Sequence, residues 1–125
     1  MAQTAHHGIR FGRMAATIPV RDIDKARAFY TGVLGFTSTF ENGTPVGFVI
    51  LERDSAELHL TLQPVYPAAS FTVAHLMVDN VDSLHAICVG HGLKIVKDLR
   101  DKDYGLRAFV FEDPDGNRID VGQPI

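Results

Sequence analysis

The sequence predicts an α+β protein made of two tandem βαβββ modules, each with one helix packed on a four-stranded mixed sheet. Three observations support this prediction: an internal repeat, a strand followed by a helix in each copy, and three short β patterns after each helix. A chain of 125 residues has room for one domain of this kind and not for two independent ones.

The repeat relates Thr17–Ala28 (TIPVRDIDKARA) to His75–Ala86 (HLMVDNVDSLHA). Ile18 aligns with Leu76, an offset of 58 residues (76 − 18) that holds along the segment. Each copy begins with alternating apolar residues, which predicts a strand with one buried face. Each copy then reaches an Asp or Asn that can cap a helix. The two copies therefore share one order, strand then helix.

In the first module, Asp22 is the predicted N-cap of the helix, and Gly35 ends it as a left-handed residue. The β patterns that follow include a turn at Asn42-Gly43 and strict alternation of leucines in the last strand. These three predicted strands cover residues 36–40, 46–51 and 57–62.

In the second module, the helix begins near Asn80 and ends around Gly90 or Gly92. The predicted strands cover residues 93–96, 107–111 and 118–121, with a charged loop over 98–103. We therefore expect modules at about 14–63 and 72–123, preceded by a flexible tail over residues 1–13.

Composition narrows the class of partner. Twelve basic and fifteen acidic residues give a net charge of −3 without a basic cluster, so no nucleic-acid partner is expected. The single Cys88 forms no internal disulfide, falls on the predicted buried side of its helix and suits a reducing compartment. The sequence has neither a secretory leader nor an apolar run of membrane-spanning length, which predicts a cytoplasmic protein with no membrane partner.

The alternation of the last strand in each module separates two faces of the sheets. Leu58, Leu60 and Leu62 are predicted to pack under the first helix, as are Ile119 and Val121 under the second. Their alternates then face the uncovered side, and the same parity on the first strands adds Val73, His75 and Met77 to it. The polar residues predicted on this uncovered side are Glu57, His59, Thr61, Arg118 and Asp120.

Three stretches of the sequence, at residues 18–36 (IPVRDIDKARAFYTGVLGF), 75–86 and 109–123 (FVFEDPDGNRIDVGQ), together resemble the glyoxalase, bleomycin-resistance and dioxygenase superfamily. The resemblance implies paired modules whose sheets curl around a cavity, assembled as a homodimer. It also implies four metal-ligand positions, which fall here on Ala15, His59, Val73 and Asp120. Only two of these can bind a metal, and sites for zinc, nickel or iron need at least three protein ligands.

The leading hypothesis is a protein of the bleomycin-resistance branch that sequesters a small molecule in a cleft at the dimer interface, as in antibiotic resistance, without a tightly held metal. Aromatic rings and acidic groups beside them suit a flat cationic ligand. Tyr104 and Arg107 are included among the candidate ligand-binding residues because the bleomycin-resistance branch, which this sequence resembles, has an aromatic residue, a glycine and an arginine before its DPxGN turn. The candidate ligand-binding residues are Phe40, Phe48, Glu57, His59, His75, Tyr104, Arg107 and Asp120.

Other interpretations stay open, and no catalytic residue is assigned. His59, His75 and Asp120 form a possible two-histidine, one-carboxylate set for a divalent zinc, iron, nickel or manganese ion in a lyase, isomerase or dioxygenase. Glu57 and His59 can instead move protons without a metal. His59 can also simply pair with Asp120, and a structural or regulatory subunit with an unused cavity is the remaining alternative.

Overall fold

The structure, a computed structural model, describes residues 8–125 and contains two four-stranded sheets with one helix each. The first module comprises β1 (Ala16–Val20), α1 (Ile23–Gly32), β2 (Thr37–Asn42), β3 (Phe48–Arg53) and β4 (Ala56–Leu62). The second comprises β5 (Thr72–Met77), α2 (Val81–Gly90), β6 (Ile95–Asp101), β7 (Leu106–Glu112) and β8 (Arg118–Pro124). Of the predicted tail, residues 8–13 form neither helix nor strand, and residues 1–7 lie outside the described range.

Both sheets have the same topology, with strand orders β1-β4-β3-β2 and β5-β8-β7-β6. In each sheet the module's first and last strands pair in parallel, and the remaining neighbours are antiparallel. Between the two parallel strands the chain passes through the helix and two further strands, which is long enough for the crossover that parallel pairing requires. The predicted α+β class with two βαβββ modules is confirmed.

The repeat offset holds in the structure from the helix to the third strand of each module. The helices start at residues 23 and 81, and β3 and β7 start at 48 and 106, so both pairs differ by 58. The last strands start at 56 and 118 and differ by 62. The difference arises because two residues connect β3 to β4, whereas five residues, 113–117, connect β7 to β8, and because β7 has seven residues where β3 has six.

The predicted helix caps are present. The Asp22 side chain accepts a hydrogen bond from the Lys25 backbone N–H at 3.0 Å, and Asn80 accepts one from Ser83 at 3.1 Å. Gly35 has a φ of +72°, and the next residue's N–H donates to the carbonyl of Tyr30, which ends α1 as a left-handed glycine does.

The charged segment predicted as a loop is mostly a strand, which is a correction to the sequence prediction. β6 runs through Asp101 and lies at the outer edge of the second sheet, where two register irregularities interrupt its pairing with β7. Charged residues are common on edge strands because they oppose pairing with another chain. Most side chains of β6 are exposed, so no alternation marks it as a strand.

One hydrophobic core joins the two modules. Its buried residues come from the helix-covered sides of both sheets and from both helices. As predicted, Leu58 and Leu60 are buried under α1, and Ile119 and Val121 under α2. Cys88 is also fully buried, and burial raises the pKa of its thiol to about 11, so it is a core residue and not a thiolate.

A buried polar cluster fastens the β7–β8 turn to the first module. The Tyr30 hydroxyl donates to Asp113 Oδ2 at 2.7 Å, and the Asn117 side-chain amide donates to the Pro19 carbonyl at 2.9 Å and to Asp113 Oδ2 at 3.1 Å. Burial raises the pKa of Tyr30 well above its ordinary value, and burial also raises the pKa of Asp113. Tyr30, from the FY pair at residues 29–30, and the DPDGN turn at residues 113–117 therefore connect the two modules.

Candidate functional site

We call the side of the first sheet that faces away from α1 the first open face. Strand register lays its side chains in rows: Phe40 lies beside Ile50, and Ile50 beside His59, while Phe48 lies beside Thr61. These residues alternate with the buried residues of β3 and β4. The first open face is therefore a mixed aromatic and polar surface without a covering helix.

Three rings on the first open face contact one another. The Phe40 and Phe48 centroids are 6.3 Å apart, and the Phe48 and His59 centroids are 5.4 Å apart, both in edge-to-face arrangements. Aromatic pairs favour this geometry because a positive ring edge meets a negative ring face. Phe40 remains 51% exposed, so the cluster presents an aromatic ring to solvent.

Glu57 lies beside this ring cluster. Its Oε2 is 2.6 Å from His59 Nε2, and its Oε1 accepts from the Arg13 guanidinium. The hydrogen bond with His59, followed by that with Arg13, lowers the pKa of Glu57, so the carboxyl carries its negative charge at neutral pH. Glu52 on β3 is the register partner of Glu57 on β4, so a second carboxylate lies beside it.

The second open face is the corresponding side of the second sheet. His75 on β5 pairs in register with Asp120 on β8, and His75 Nδ1 is 2.6 Å from Asp120 Oδ2. The other ring nitrogen, Nε2, is 3.0 Å from Met77 Sδ. Gly122 lies beside Met77 in the sheet and adds no side chain of its own, and the Leu106 side chain lies next to it.

The predicted pairing of His59 with Asp120 is wrong. His59 pairs with Glu57 on the first sheet, and Asp120 pairs with His75 on the second. The alternative metal set of His59, His75 and Asp120 is consequently not assembled. Within residues 8–125, no three His, Cys, Asp or Glu side chains are grouped so that they could hold a metal ion.

Arg107, one of the candidate ligand-binding residues, does not belong to the open faces. It alternates with the open-face residues of β7, and its guanidinium contacts Asp82 in the first turn of α2 at 3.0 Å and Asp101 at 3.2 Å. These two ion pairs orient it toward the helix. Tyr104 lies in the β6–β7 loop and is 65% exposed; the ring contacts of the first open face, among the described residues, do not include it.

Two adjoining grooves of about 450 and 530 Å³ run along the junction of the modules. The larger groove contains only two of the predicted ligand-binding residues, Glu57 from the first module and His75 from the second. Leu34, Phe36 and other apolar residues line both grooves. Both volumes fall within the ordinary range for small-ligand sites.

Ile50 and Met77 complete the open faces but are not among the residues predicted for the site. Ile50 connects Phe40 to His59 across the first sheet, and Met77 contacts His75. Alternation with the buried Val49 and Leu51 on β3 would have indicated Ile50. Met77 already shares the parity of His75, but only the side-chain conformation shows that sulfur and imidazole touch.

The family of the chain follows from a comparison with protein-family models. The model of the Glyoxalase/Bleomycin resistance protein/Dioxygenase superfamily matches residues 10–121. The chain belongs to this superfamily. The resemblance given by the sequence landmarks is therefore confirmed.

Solved members and relatives of the superfamily share the fold of this chain. A superfamily member from Sphaerobacter thermophilus DSM 20745 is 27% identical, with a TM-score of 0.78 over 92% of this chain and 98% of that one. TnmS3, an antibiotic-binding protein from Streptomyces sp. CB03234, is 27% identical, with a TM-score of 0.77 over 95% and 100%. A bleomycin-binding protein complexed with bleomycin has 24% identity and a TM-score of 0.76 over 92% and 100%, which shows the shared fold. No curated protein matched in the corresponding sequence search.

The superfamily's ligand positions, carried over by register, can now be placed. His59 and Asp120 lie on the two open faces, and Ala15 immediately precedes β1. Val73 lies in a β-bulge of β5 and packs against the hydrophobic core, which departs from its predicted position on the open face. A bulge changes the direction of a side chain, and this explains the difference.

No helix formed by residues 8–125 has the length and apolar character to cross a membrane.

Proposed function

We propose that this protein binds a flat, cationic aromatic small molecule of the antibiotic type and acts by sequestering it. The observation that carries the proposal is the ring cluster of Phe40, Phe48 and His59 beside the Glu57 carboxylate on the first open face. Aromatic faces attract cations and stack on flat ligands, and a neighbouring carboxylate supplies the opposite charge. The similarity to an antibiotic-binding protein supports the same ligand class.

We further propose that a second copy of the chain completes the cleft. The first open face has no covering helix, and Phe40 and Phe48 stand on an open sheet surface. A small ligand is usually enclosed over most of its surface, which a single uncovered sheet does not provide. A homodimer supplies the second wall.

The ligand-binding proposal is tested by calorimetric titration with bleomycin and a panel of planar cationic compounds. Replacing Phe48 with alanine removes both ring contacts, so we expect affinity to fall about tenfold, equivalent to about 1.4 kcal/mol. Val89→Ala is the matched control because Val89 is an exposed apolar residue on α2, away from the first open face. Absence of binding heat at high micromolar concentration, or equal affinity of Phe48→Ala and the parent, would contradict the proposal.

We propose that binding needs no tightly held divalent metal. Two of the four superfamily ligand positions carry the aliphatic side chains of Ala15 and Val73, and the remaining His59 and Asp120 have separate partners. Two protein ligands hold a zinc, iron, nickel or manganese ion too weakly to survive dialysis. Elemental analysis of untagged protein after dialysis is expected to find less than one such ion per chain. Stoichiometric retention would instead favour a lyase, isomerase or dioxygenase.

A further inference from the structure

Two donor atoms with an affinity for soft metals lie together on the second open face. His75 and Met77 occupy alternate positions of β5, and His75 Nε2 is 3.0 Å from Met77 Sδ. The His75 side chain is 42% exposed and Met77 is 46% exposed. A Cβ atom on Gly122 would lie 3.4 Å from the His75 ring and 3.6 Å from the Met77 sulfur. The Leu106 Cδ1 would lie nearer still, at 3.3 Å, so glycine at this position leaves room for the two donors beside Leu106.

Asp120 holds the imidazole from its other side. Its Oδ2 is 2.6 Å from His75 Nδ1. A carboxylate on one ring nitrogen keeps the proton there, which leaves the lone pair of the other nitrogen free to bind a metal. Metal-binding histidines almost always have such a partner. Here the free nitrogen is the one that faces the thioether sulfur.

A second thioether comes from the other module. Met14 lines the same groove of about 530 Å³ as His75 and Met77, and Met14 is 93% exposed. A methionine side chain has three rotatable bonds and adapts readily to a ligand. The groove thus offers two thioethers and one imidazole from opposite sides of the module junction.

We propose that His75 and Met77, with Met14 as the third donor, form a binding site for a soft monovalent cation of the Cu(I) class, and that Asp120 positions the imidazole. Thioether ligands select Cu(I), whereas carboxylate and water suit harder cations. This donor set differs from the divalent set of His59, His75 and Asp120, because it replaces the distant His59 with sulfur atoms in the same groove. The proposed donors differ from the ring cluster of the first open face, although Glu57 lines the same groove.

The test is a titration of the full chain with Ag(I), a redox-inert substitute for Cu(I), followed by NMR of methyl-¹³C-methionine. We expect the Met77 and Met14 methyl resonances to move together and to stop moving at one equivalent of silver. These signals report the site directly, so silver reaching the buried Cys88 does not imitate the result. A Met77 resonance that does not move, or a Met14 resonance that stays fixed while Met77 moves, would overturn the three-donor site.

Variants separate the role of Asp120, which orients the imidazole, from the role of His75, which binds the metal. Asp120→Asn should weaken silver binding about 10- to 100-fold, because it removes the carboxylate that orients the His75 ring but leaves all three donors in place. His75→Ala should abolish the coupled movement of the methyl resonances. His91→Ala, at an exposed histidine beyond the end of α2, is the matched control and should titrate like the parent. If His75→Ala also titrates like the parent, the proposed site is wrong. The bleomycin titration uses metal-free protein, so the two proposals can fail separately.

Discussion

Tyr30 connects parts of the chain that are 83 residues apart through one hydroxyl group. The group is fully buried, and its acceptor Asp113 is itself fixed by the backbone N–H groups of Asp115 and Asn117. Asp113 Oδ2 also accepts from the Asn117 side chain, so loss of the Tyr30 hydroxyl removes one of two donors that offset the desolvation of this oxygen. Phenylalanine retains the ring but leaves Asp113 without the hydroxyl.

We therefore predict that Tyr30→Phe lowers the free energy of unfolding at pH 7 by about 1–3 kcal/mol. Urea denaturation followed by far-UV circular dichroism measures this loss. Phe29→Leu, which alters a neighbouring buried ring without removing a hydrogen bond, shows how much of the effect comes from packing alone. An unchanged midpoint for Tyr30→Phe would show that the hydroxyl contributes no net stability.

The same residue gives the protein a dependence on alkaline pH. The pKa of Tyr30 is raised in the folded state, so above pH ~10 an unfolded tyrosine loses its proton while Tyr30 keeps it. The stabilisation is complete below that pH and falls by up to about 1.4 kcal/mol per pH unit above it. Urea midpoints between pH 9 and 11.5 should thus decline less steeply for Tyr30→Phe. The buried Cys88 thiol also titrates in this range but is common to both proteins, so it cancels in the comparison.

The histidine pairs show where prediction from sequence ends at the scale of one residue. Parity correctly places His59 and Asp120 on uncovered faces, but the two residues belong to different sheets. Each histidine therefore pairs with a carboxylate on its own sheet. His59 pairs with Glu57, two residues away, and His75 pairs with Asp120, its register partner on β8. Such choices depend on strand register and side-chain rotamers, which alternation does not specify.

Among the elements, the β7–β8 turn depends strongly on glycine at one position. Gly116 has a φ of +82°, and a Cβ atom added there would lie 2.7 Å from the Ala68 Cβ. Left-handed backbone costs an ordinary residue about 1–2 kcal/mol, and the close contact adds to this cost. The turn thus needs glycine both for its conformation and for its packing against the segment that joins the modules.

We predict that Gly116→Ala lowers the melting temperature and destabilises the fold by at least about 1–2 kcal/mol. Differential scanning calorimetry provides the measurement. Gly12→Ala is the matched control, because its backbone is not left-handed and an added methyl meets no atom within 4 Å. Equal melting temperatures for the two variants would contradict the role given to Gly116.

The elements differ in how well their sequences predict them. Both helices are predictable because Asp22 and Asn80 cap them and the 58-residue repeat confirms one by the other. β6 is not predictable in full because its edge position lets both sides of the strand reach water, so it carries charges where a central strand would alternate. A strand or helix with one buried face has a periodic pattern of apolar residues, whereas an edge strand exposed on both sides has almost no such pattern.

At the scale of the whole molecule, the first open face is the surface on which we propose that two chains meet. Phe40→Lys places a charge on the first open face, so we predict that it shifts the dimer toward monomer. Val89→Lys makes the same change at a similarly exposed position on α2, where a cation near a helix C-terminus is tolerated. Native mass spectrometry over a dilution series compares the two. A monomeric parent, or dimers of equal strength in both variants, would exclude this interface.

The buried cluster at the β7–β8 turn also bears on how the protein is made. Synthesis proceeds from the N-terminal to the C-terminal side, so the first module emerges before residues 113–117 exist. Until then the Tyr30 hydroxyl and the Pro19 carbonyl lack the partners they have in the finished molecule. The strands of the first sheet all lie within residues 16–62, but the buried cluster between the modules can form only after nearly the whole chain has been synthesised. A gene divided between the modules would yield two fragments that become stable only on meeting each other.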